Sequence, residues 1–269
     1  MINGMIAPAP AVIDIWTLPL DRPATEVASL AALLSGDEHN RAHRFASPRH
    51  ADRFIVARAN LRIILGNRLG IPAHDLTFGY NAFGKPYLTD DAATPLHFNL
   101  SHSGSFAMLA LSDRIPVGID IEEMKPLKED IAGYFFSARE RVSLRRLPPD
   151  GYLQGFYRCW TRKEALVKGR GDGLTTALDS FDVSIGRQAT VDLSRLDKGV
   201  SGSDRWKLWN LSVPTGFEGA LAALVDERPV QLRYHADPGS DPAFMDAAAH
   251  PSRSDRQRHR SDGTRSALV

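Results

Sequence analysis

The sequence predicts a mixed α/β fold of the α+β kind, built around a buried core. Helix-like and strand-like segments alternate from about Ile13 to about Tyr234. The chain has 269 residues, 43% of them hydrophobic, which is enough for the core of one large domain or of two small ones. From Ala236 onward large apolar residues become scarce, and residues 250–265 are dense in Arg, Ser, Asp and His. This composition predicts a disordered tail over residues 236–269.

The charge balance and the single cysteine exclude several classes of protein. With 33 basic and 32 acidic side chains, the net charge is +1, which argues against a surface built throughout to bind nucleic acid or anionic lipid. The basic tail could contact RNA or a membrane, but a solvated tail is the better interpretation. Cys159 alone can form neither an internal disulfide framework nor a cysteine-rich zinc site, which fits a reducing cytoplasm.

The sequence shows no sign of a membrane location. No segment approaches the ~20 apolar residues that a membrane-spanning helix needs. Residues 1–20 lack the cationic and apolar regions of a signal peptide. We therefore expect a cytoplasmic protein.

Two helix starts are marked by capping residues. The first clear helix is predicted to begin at Ser47 and Pro48, and Ser137 with Glu140 forms a capping box before a later helix. The apolar stripe of the first helix comprises Phe54, Ala57, Leu61 and Leu65. Arginines crowd this helix and its approach, and such a run is typical of a solvated face. They are Arg41, Arg44, Arg49, Arg53, Arg58 and Arg62.

A hairpin is predicted after the first helix. Residues 76–80 alternate as in a strand, and residues 81–86 form a turn around Gly84 and Pro86. On this pattern Lys85 is an exposed lysine at the tip of the hairpin.

Small polar residues crowd the next segment, residues 97–104, which reads His-Phe-Asn-Leu-Ser-His-Ser-Gly. We predict a polar turn here, before a strand over residues 106–110. The donors of such a turn suit phosphate, and a polar loop with a structural histidine explains the pattern equally well. Adjacent Ser101 and His102 do not indicate a serine hydrolase, because no Gly-x-Ser-x-Gly motif surrounds them.

The sharper signal is the segment Val117–Glu122, which reads Val-Gly-Ile-Asp-Ile-Glu. Side chains alternate along a strand, so Asp120 and Glu122 share one face while the valine and isoleucines face the core. Two such residues lie roughly 6.6 Å apart at their Cα atoms, within reach of one small divalent cation. Magnesium prefers carboxylates together with waters and phosphates. An amphipathic strand with a solvated acidic face is the alternative.

A second cluster, residues 156–168, predicts a helix that ends at the glycine-rich residues 169–173. Trp160, Glu164 and Lys168 recur every four residues and therefore share one helical face. The alternative is a routine surface ion pair between Glu164 and Lys168, with Trp160 packed in the core.

Four motifs follow one another along the chain: Phe83–Pro86, Phe98–Ser103, Gly118–Glu122 and Trp160–Lys168. In this order they resemble the 4'-phosphopantetheinyl transferases of the surfactin-synthetase-activating type. The acidic pair and the Trp-x-x-Lys-Glu-Ala-x-x-Lys stretch are specific in combination, and either alone is weaker. The resemblance extends over about residues 37–225 and leaves the tail uncovered.

The resemblance implies a fold of two similar α/β halves related by pseudo-twofold symmetry, with the active site in the cleft between them. We expect the N-terminal half, with the contacts to the nucleotide of coenzyme A, over residues 1–113. The C-terminal half, with the magnesium and catalytic residues, is expected over residues 114–235, followed by the tail 236–269. The resemblance further implies that one chain carries both halves, so that the protein is a monomer.

The resemblance also implies a reaction. The 4'-phosphopantetheine arm of coenzyme A passes to a serine of an apo acyl or peptidyl carrier protein, leaving adenosine 3',5'-bisphosphate. Asp120, Glu122 and Glu164 are the implied ligands of Mg²⁺, which Mn²⁺ could replace. Glu164 is implied to take the serine proton, directly or through a water, and Lys168 to neutralise or protonate the leaving group. Siderophore, polyketide, nonribosomal peptide and fatty-acid carriers all remain open.

Coenzyme A is implied to contact both halves. Lys85, Ser101 and His102 are assigned to its nucleotide end, Asn99 to the shape of that loop, and Arg41 to the 3'-phosphate. The full set of implied coenzyme A-binding residues is Arg41, Lys85, Asn99, Ser101, His102, Asp120, Glu164 and Lys168.

One departure from the family pattern concerns the 3'-phosphate. Members of the family often carry a further cation a few residues before Arg41, where this chain has Asp37 and Glu38. Arg53 is a weaker candidate for the same cluster of cations.

Three rival functions are disfavoured. A non-catalytic carrier-binding adaptor should have lost at least one of Asp120, Glu164 and Lys168, and all three are present. Near-neutral charge and the lack of a basic motif interleaved with aromatic residues argue against a nucleic-acid partner, and we expect no membrane partner. A different magnesium-dependent phosphotransferase is the nearest enzymatic alternative, but the chain has no Walker-type glycine loop.

Overall fold

The protein is described by a computed structural model that covers residues 8–89, 96–127, 129–171, 176–188, 190–191, 193–194 and 205–238. From Gly239 onward, the predicted tail lies outside the described residues. The helices are α1 (Ala24–Ala31), α2 (Gly36–His43), α3 (Pro48–Leu69), α4 (Ile131–Phe135), α5 (Ala138–Arg145) and α6 (Pro149–Arg170). The strands are β1 (Ala11–Pro19), β2 (Phe78–Tyr80), β3 (Pro86–Leu88), β4 (His97–Ser103), β5 (Phe106–Ser112), β6 (Val117–Glu123), β7 (Asp182–Val183), β8 (Thr190–Val191), β9 (Leu193–Ser194), β10 (Trp206–Asn210), β11 (Phe217–Leu224) and β12 (Val230–His235).

Two four-stranded sheets organise the molecule, and they confirm the predicted mixed α/β fold. The first has the order β12-β1-β5-β4 and the second has the order β6-β11-β10-β8. In the first sheet β1 runs antiparallel to β5 and parallel to β12. The predicted hairpin is formed by β2 and β3, which pair around a turn with Gly84 at φ 81°.

The order of elements repeats along the chain. In the first repeat, β1 is followed by helices and then by the antiparallel strands β4 and β5, and β5 pairs with β1. In the second repeat, β6 is followed by helices and then by the antiparallel strands β10 and β11, and β11 pairs with β6. The division at residues 113 and 114 and the pseudo-twofold relation remain predictions. β12 follows the second sheet in sequence but completes the first.

The two long helices, α3 and α6, have matching ends. Each has 22 residues, starts with proline and stops at a glycine in the left-handed conformation, Gly70 at φ 65° and Gly171 at φ 76°. Proline at the first position forfeits no helical hydrogen bond, and glycine enters the left-handed region without steric cost. The predicted start of α3 is confirmed, although the side chain of Ser47 makes no capping hydrogen bond, and the capping box of Ser137 and Glu140 is confirmed as well.

The predicted solvated run of arginines is confirmed only in part. Arg41, Arg44 and Arg49 are exposed, but the prediction was wrong for Arg58 and Arg62. Arg58 is 7% exposed and Arg62 is 1% exposed, although the predicted apolar stripe of the helix is indeed buried. Glu38 of α2 bonds both guanidinium groups, with Arg62 Nε donating at 2.6 Å. Two buried arginines are therefore held by one buried carboxylate, which ties α2 to α3.

The predicted polar turn over residues 97–104 was also wrong, because residues 97–103 form strand β4. This strand pairs along its whole length with β5, from His97 opposite Ser112 to Ser103 opposite Phe106. Its small polar side chains satisfy hydrogen bonds with β6 instead of with solvent. Tertiary contacts thus override the local preference of serine and asparagine for turns.

The second half depends on a close approach of backbones at Gly118. A Cβ atom at this position would lie 2.5 Å from Cα of Gly169 and closer still to the carbonyl oxygen of Ala165. Both neighbours are backbone atoms of α6, so neither can rotate away. Only glycine at Gly118 therefore lets β6 lie directly against α6.

Replacing Gly118 by alanine is expected to lower the free energy of unfolding by about 3 kcal/mol, because the added methyl group pushes α6 away from β6. Urea denaturation of the two proteins measures the difference. Gly36→Ala is the matched control, since nothing lies within 4 Å of a Cβ atom there. Equal stability of the two variants would contradict the close approach.

Among the described residues, no helix is long and apolar enough to cross a membrane. The hydrophobic residues instead form clusters against the two sheets and the long helices.

Candidate active site

The predicted catalytic side chains meet where β4, β6 and α6 come together. Asp120 lies in the middle of β6 and is 1% exposed, so the protein encloses its carboxylate. Lys168, in the last turn of α6, donates from Nζ to Asp120 Oδ1 at 2.5 Å. Ser101 of β4 donates to the same oxygen at 2.8 Å. Asp120 therefore joins three elements that are distant in sequence.

The solvated acidic strand and the surface ion pair, the two alternative interpretations of the catalytic motifs, were wrong, although Trp160 does pack against the core as the second of them expected. All five residues from Val117 to Ile121 are buried, because α6, β4 and β5 all pack against β6. The acidic strand is thus not solvated. Lys168 bonds Asp120 across the site, and the geometry gives no direct ion pair between Lys168 and Glu164.

Three polar side chains of β4 bond to β6, and we call Asn99, Ser101 and Ser103 the polar seam. Asn99 Oδ1 accepts a hydrogen bond from the backbone N of Ile119 at 2.8 Å. Ser103 Oγ donates to Glu122 Oε2 at 2.6 Å. Because side chains repeat every two residues along both strands, each serine of the seam meets one carboxylate of β6.

The protein holds three carboxylates close together. Burial raises the pKa of Asp120 by more than Lys168 and Ser101 lower it. Burial also raises the pKa of Glu122, and the negative charges of Asp120 and Glu164 raise it further. The pKa of Glu164 is raised by burial and by Asp120, against the opposing effect of Lys168. The hydrogen bonds and positive charges that the protein supplies therefore do not fully balance the negative charge of these three carboxylates.

The carboxylate cluster suits a small divalent cation. Within the described parts of the chain, no three acidic, histidine or cysteine side chains form a ready-made metal site. Asp120 Oδ2, however, is buried and has no hydrogen-bond partner among those residues. A buried carboxylate oxygen without a partner costs free energy, and an oxygen-binding cation supplies the missing contact. Asp120, Glu122 and Glu164 are thus residues that could hold magnesium.

Lys85 is not the exposed hairpin lysine that its local pattern predicts. It is half-buried, and its Nζ donates to the carbonyl oxygen of Gly169 at 3.0 Å. Asn81 anchors the same turn, because its amide nitrogen donates to the carbonyl oxygen of Gly171 at 3.0 Å. The turn from β2 to β3 is therefore fastened to the C-terminal end of α6, next to Lys168.

His102 and Arg41 lie close enough for their charges to interact, and both side chains are exposed. Although the side chain of His102 is exposed, partial desolvation lowers its pKa, and the charges of Lys168 and Arg41 lower it further. Arg41 is exposed and lies over the ring of Phe54, with its guanidinium carbon 5.3 Å from the ring centre. His102 is thus favoured as a neutral imidazole beside two cations, an environment that attracts a phosphate group.

The weaker candidate, Arg53, is already engaged. Its Nε and Nη2 donate to the two carboxylate oxygens of Asp21 at 2.7 and 2.9 Å, and Arg49 bonds the same carboxylate. Glu38, in the neighbourhood where the resemblance implies a further cation, bonds the buried arginines of α3 instead. Its role in this structure is to hold α2, the helix that carries Arg41.

Known proteins match both the N-terminal and the C-terminal parts of the chain. A model of the 4'-phosphopantetheinyl transferase superfamily matches residues 116–225, and a model of a 4'-phosphopantetheinyl transferase N-terminal region matches residues 22–114. The chain is 41% identical to 4'-phosphopantetheinyl transferase HetI of Nostoc sp. over 176 residues, which are 64% of this chain and 74% of HetI. It is 35% identical to a 4'-phosphopantetheinyl transferase of Bacillus subtilis and 31% identical to the transferase Sfp of B. subtilis strain 168, in both cases over 187 residues, 69% of this chain and 82% of the relative.

The chain belongs to the 4'-phosphopantetheinyl transferase superfamily. The predicted resemblance to the surfactin-synthetase-activating type is thereby confirmed.

The transferase contains a fourth carboxylate that the sequence patterns did not predict. Glu218 of β11 is directly opposite Glu122 of β6, so both side chains project from the same face. Arg158 of α6 donates to Glu218 Oε1 at 3.2 Å. This ion pair compensates Glu218, which therefore adds little negative charge to the neighbouring cluster. Only the pairing of β6 with β11 reveals the contact, because no local spacing links the three residues.

A cavity of about 250 Å³ opens beside Glu164 and Lys168 of the transferase. Residues of both predicted halves line it: Phe83, Gly84, Lys85, Pro86, Asn99, Leu100, Val167 and Gly171. A larger cavity of about 400 Å³ lies elsewhere, next to Asp14, Trp16 and His235, and includes none of the predicted site residues. We assign the smaller cavity to the site, because Glu164 and Lys168 line it.

Proposed function

We propose that the transferase moves the 4'-phosphopantetheine arm of coenzyme A to a serine hydroxyl of an apo acyl or peptidyl carrier protein. Adenosine 3',5'-bisphosphate is the second product. Membership of the superfamily supports this reaction class. The observation that carries it to this chain is the convergence of Asp120, Glu164 and Lys168 beside a cavity lined by both halves.

Glu164 is proposed to accept the proton of the carrier serine, directly or through a water. It is half-buried, and burial raises its pKa, which makes it a stronger base than an exposed glutamate. Loss of the proton turns the serine oxygen into a better nucleophile for the β-phosphorus of coenzyme A. The new oxygen–phosphorus bond forms as the phosphoanhydride bond to the adenosine bisphosphate breaks.

Lys168 is proposed to neutralise or protonate the leaving group. Burial opposes its charge, but contact with Asp120 and the nearby glutamates raises the pKa of Lys168 on balance, so it stays protonated. Its Nζ carries three hydrogens, and the bonds to Asp120 and Ser101 use two of them. The third can bond an oxygen of the departing phosphate, where negative charge develops.

We propose that Asp120, Glu122 and Glu164 hold Mg²⁺, which Mn²⁺ could replace. When bound, the cation would act as a Lewis acid and offset the negative charge of the pyrophosphate. The contribution of the chain is to place these three carboxylates near one another, where the charge of a bound cation would favour their ionised forms against the effect of burial. Lys168 and the serines of the polar seam compensate part of their charge.

The nucleotide end of coenzyme A is proposed to lie against Arg41, Lys85, Ser101 and His102, with Asn99 shaping the strand beneath. The shared cationic surroundings of Arg41 and His102 support this assignment. Residues 1–113 and 114–235 are proposed as the two halves, and both contribute side chains to one site. A single chain is therefore sufficient, so we propose a monomer. We also propose a cytoplasmic location, which fits a chain whose single cysteine, Cys159, is buried.

Intact-mass analysis of a panel of apo carrier proteins tests the proposed reaction. In the presence of the transferase, coenzyme A and magnesium, at least one carrier is expected to gain the mass of one phosphopantetheine arm. Omitting magnesium should prevent the gain. Glu164→Ala is expected to slow it by about 10²-fold, because the base is lost.

The outcomes separate the parts of the proposal. Transfer that survives both the omission of magnesium and the Glu164→Ala change would refute the assigned roles of the metal and of Glu164. If coenzyme A does not bind, by calorimetry with the wild-type protein, the proposed function itself fails.

A further inference from the structure

Ser103 stands next to the catalytic cluster, but the proposed chemistry assigns it neither to the metal, nor to coenzyme A, nor to proton transfer. It is the last residue of β4, and its side chain is half-buried opposite the end of β6. Its Oγ is 2.6 Å from Glu122 Oε2. Within the described residues, this is the one hydrogen bond that the Glu122 carboxylate makes.

The direction of the Ser103 hydroxyl is set by a second contact. The backbone N of Glu123 donates to Ser103 Oγ at 3.1 Å. A serine hydroxyl has a single hydrogen, so an oxygen that accepts from Glu123 has that hydrogen left for Glu122. The serine thus links the carboxylate of Glu122 to the backbone of the strand from which it projects.

We propose that Ser103 is a positioning residue that orients the carboxylate of Glu122 and so sets the affinity of the site for its divalent cation. The inference rests on the proposed function, in which Glu122 is a metal ligand. It assigns to the chain a determinant of metal affinity that does not itself contact the metal.

The need for such a restraint follows from the surroundings of Glu122. Asp120 and Glu164 lie close enough to repel its carboxylate. A glutamate side chain has three rotatable bonds, so without a tether it can rotate away from like charges toward solvent. The hydrogen bond from Ser103 to Oε2 opposes this rotation and leaves Oε1 for the cation.

Ser101 gives a comparison within the same strand. It donates to Asp120, but Lys168 bonds the same carboxylate oxygen, so Asp120 is oriented by two groups. Asp120 is also more deeply buried than Glu122 and has a shorter side chain. Loss of one serine is therefore expected to affect Glu122 more than Asp120.

Titration of the purified, metal-free protein with Mn²⁺, followed by calorimetry and by the electron paramagnetic resonance of free Mn²⁺, tests the proposal without requiring catalysis. Ser103→Ala is expected to weaken Mn²⁺ binding about tenfold, the effect typical of a partner that orients a metal ligand. Ser103→Thr keeps the hydroxyl and should restore most of the affinity. Ser112→Ala removes a buried serine that donates to the Val12 carbonyl, far from the site, and should bind Mn²⁺ like wild type.

Activity provides a second readout. Transfer by Ser103→Ala should require about tenfold more magnesium for half its maximal rate, whereas the KM for coenzyme A stays within about twofold of wild type. A merely structural serine would lower the rate equally at all magnesium concentrations.

The results distinguish this inference from the proposed function. If Asp120→Asn loses Mn²⁺ binding while Ser103→Ala binds as tightly as wild type, the inference is overturned and the metal site stands. If the wild-type protein itself binds no Mn²⁺, both the metal assignment and the inference fail. Weaker binding by Ser103→Ala that is not restored in Ser103→Thr would also overturn it, because the hydroxyl would not be the cause.

Discussion

Asp120→Asn is expected to lower the rate of carrier modification by about 10³-fold, while the protein stays folded. Asparagine preserves the shape of the side chain but removes its charge. The change deprives Lys168 of its anionic partner and removes the proposed metal ligand at the centre of the site. Single-turnover mass measurements at saturating magnesium and coenzyme A give the rate.

Stability should respond in the opposite direction. Because burial raises the pKa of Asp120, the folded protein disfavours its ionised form, and this penalty is present above the raised pKa. Lys168 loses a partner in this variant, but its side chain is 31% exposed and the charges of Glu164 and Glu122 still act on it. In metal-free buffer at neutral pH, Asp120→Asn should therefore unfold no earlier than wild type. A melting temperature several degrees below wild type would show that Asp120 supports the fold and would remove the argument for a dedicated functional residue.

A matched control exists in the first sheet. Asp14 of β1 is also buried, but Arg233 and His235 outweigh the effect of burial and lower its pKa. Asp14→Asn should accordingly destabilise the protein and leave the turnover of the folded fraction unchanged. Comparison of Asp120→Asn with Asp14→Asn therefore separates an effect on catalysis from an effect on stability.

Glu38→Gln is expected to lower the free energy of unfolding by about 3–5 kcal/mol, because it leaves two buried arginines without a counter-charge. Arg62 is enclosed between Glu38 and the carbonyl oxygens of Ala73 and Leu76. The guanidinium carbon of Arg58 lies 4.0 Å from the centre of the Phe78 ring. Neither guanidinium can turn to solvent without disrupting α2 and β2. Denaturation in urea at pH 7 measures the loss.

The pH dependence of this effect has a definite sign. Burial alone would raise the pKa of Glu38, but the bonds from Arg62 and Arg58 lower it below its ordinary 4.5. A depressed pKa contributes stability that is present above 4.5 and is lost as the pH falls through the folded-state value. The difference between wild type and Glu38→Gln should therefore shrink below pH 4.5.

The control for Glu38 is an exposed carboxylate that also bonds two arginines. Asp21 bonds Arg49 and Arg53, but the group is open to solvent, so Asp21→Asn should cost less than about 1 kcal/mol. If both variants lose the same stability, burial is not the reason for the effect of Glu38. Because α2 also carries Arg41, the KM for coenzyme A should rise in Glu38→Gln and not in Asp21→Asn.

The parts of the fold that depend on nearby residues were predictable. The start of α3 at Ser47 and Pro48 and the capping box at Ser137 are local devices, and the acidic pair of β6 is visible from a spacing of two residues. Each of these features depends on residues only a few positions apart, so the rules for helix capping and for the repeat of side chains along a strand predict it.

What escaped prediction depends on partners far away in sequence. Serines and asparagine over residues 97–103 favour a turn, yet β6 supplies the hydrogen bonds that hold them in a strand. Arg58 and Arg62 look solvated until the inward position of Glu38 is known. Lys168 likewise bonds Asp120 rather than the neighbouring Glu164, which only the packing of α6 on β6 decides.

The pairing of β12 with β1 has a consequence for protein synthesis. β1 is synthesised first, whereas β12, which pairs with one edge of β1, is among the last of the described segments to be made. Asp14 and Arg233, which bond across this pair, are 219 residues apart, so translation separates them by on the order of ten seconds or more. During that interval the edge of β1 is open to pairing with other chains. A nascent chain therefore cannot finish its first sheet until nearly all of the second half has been made.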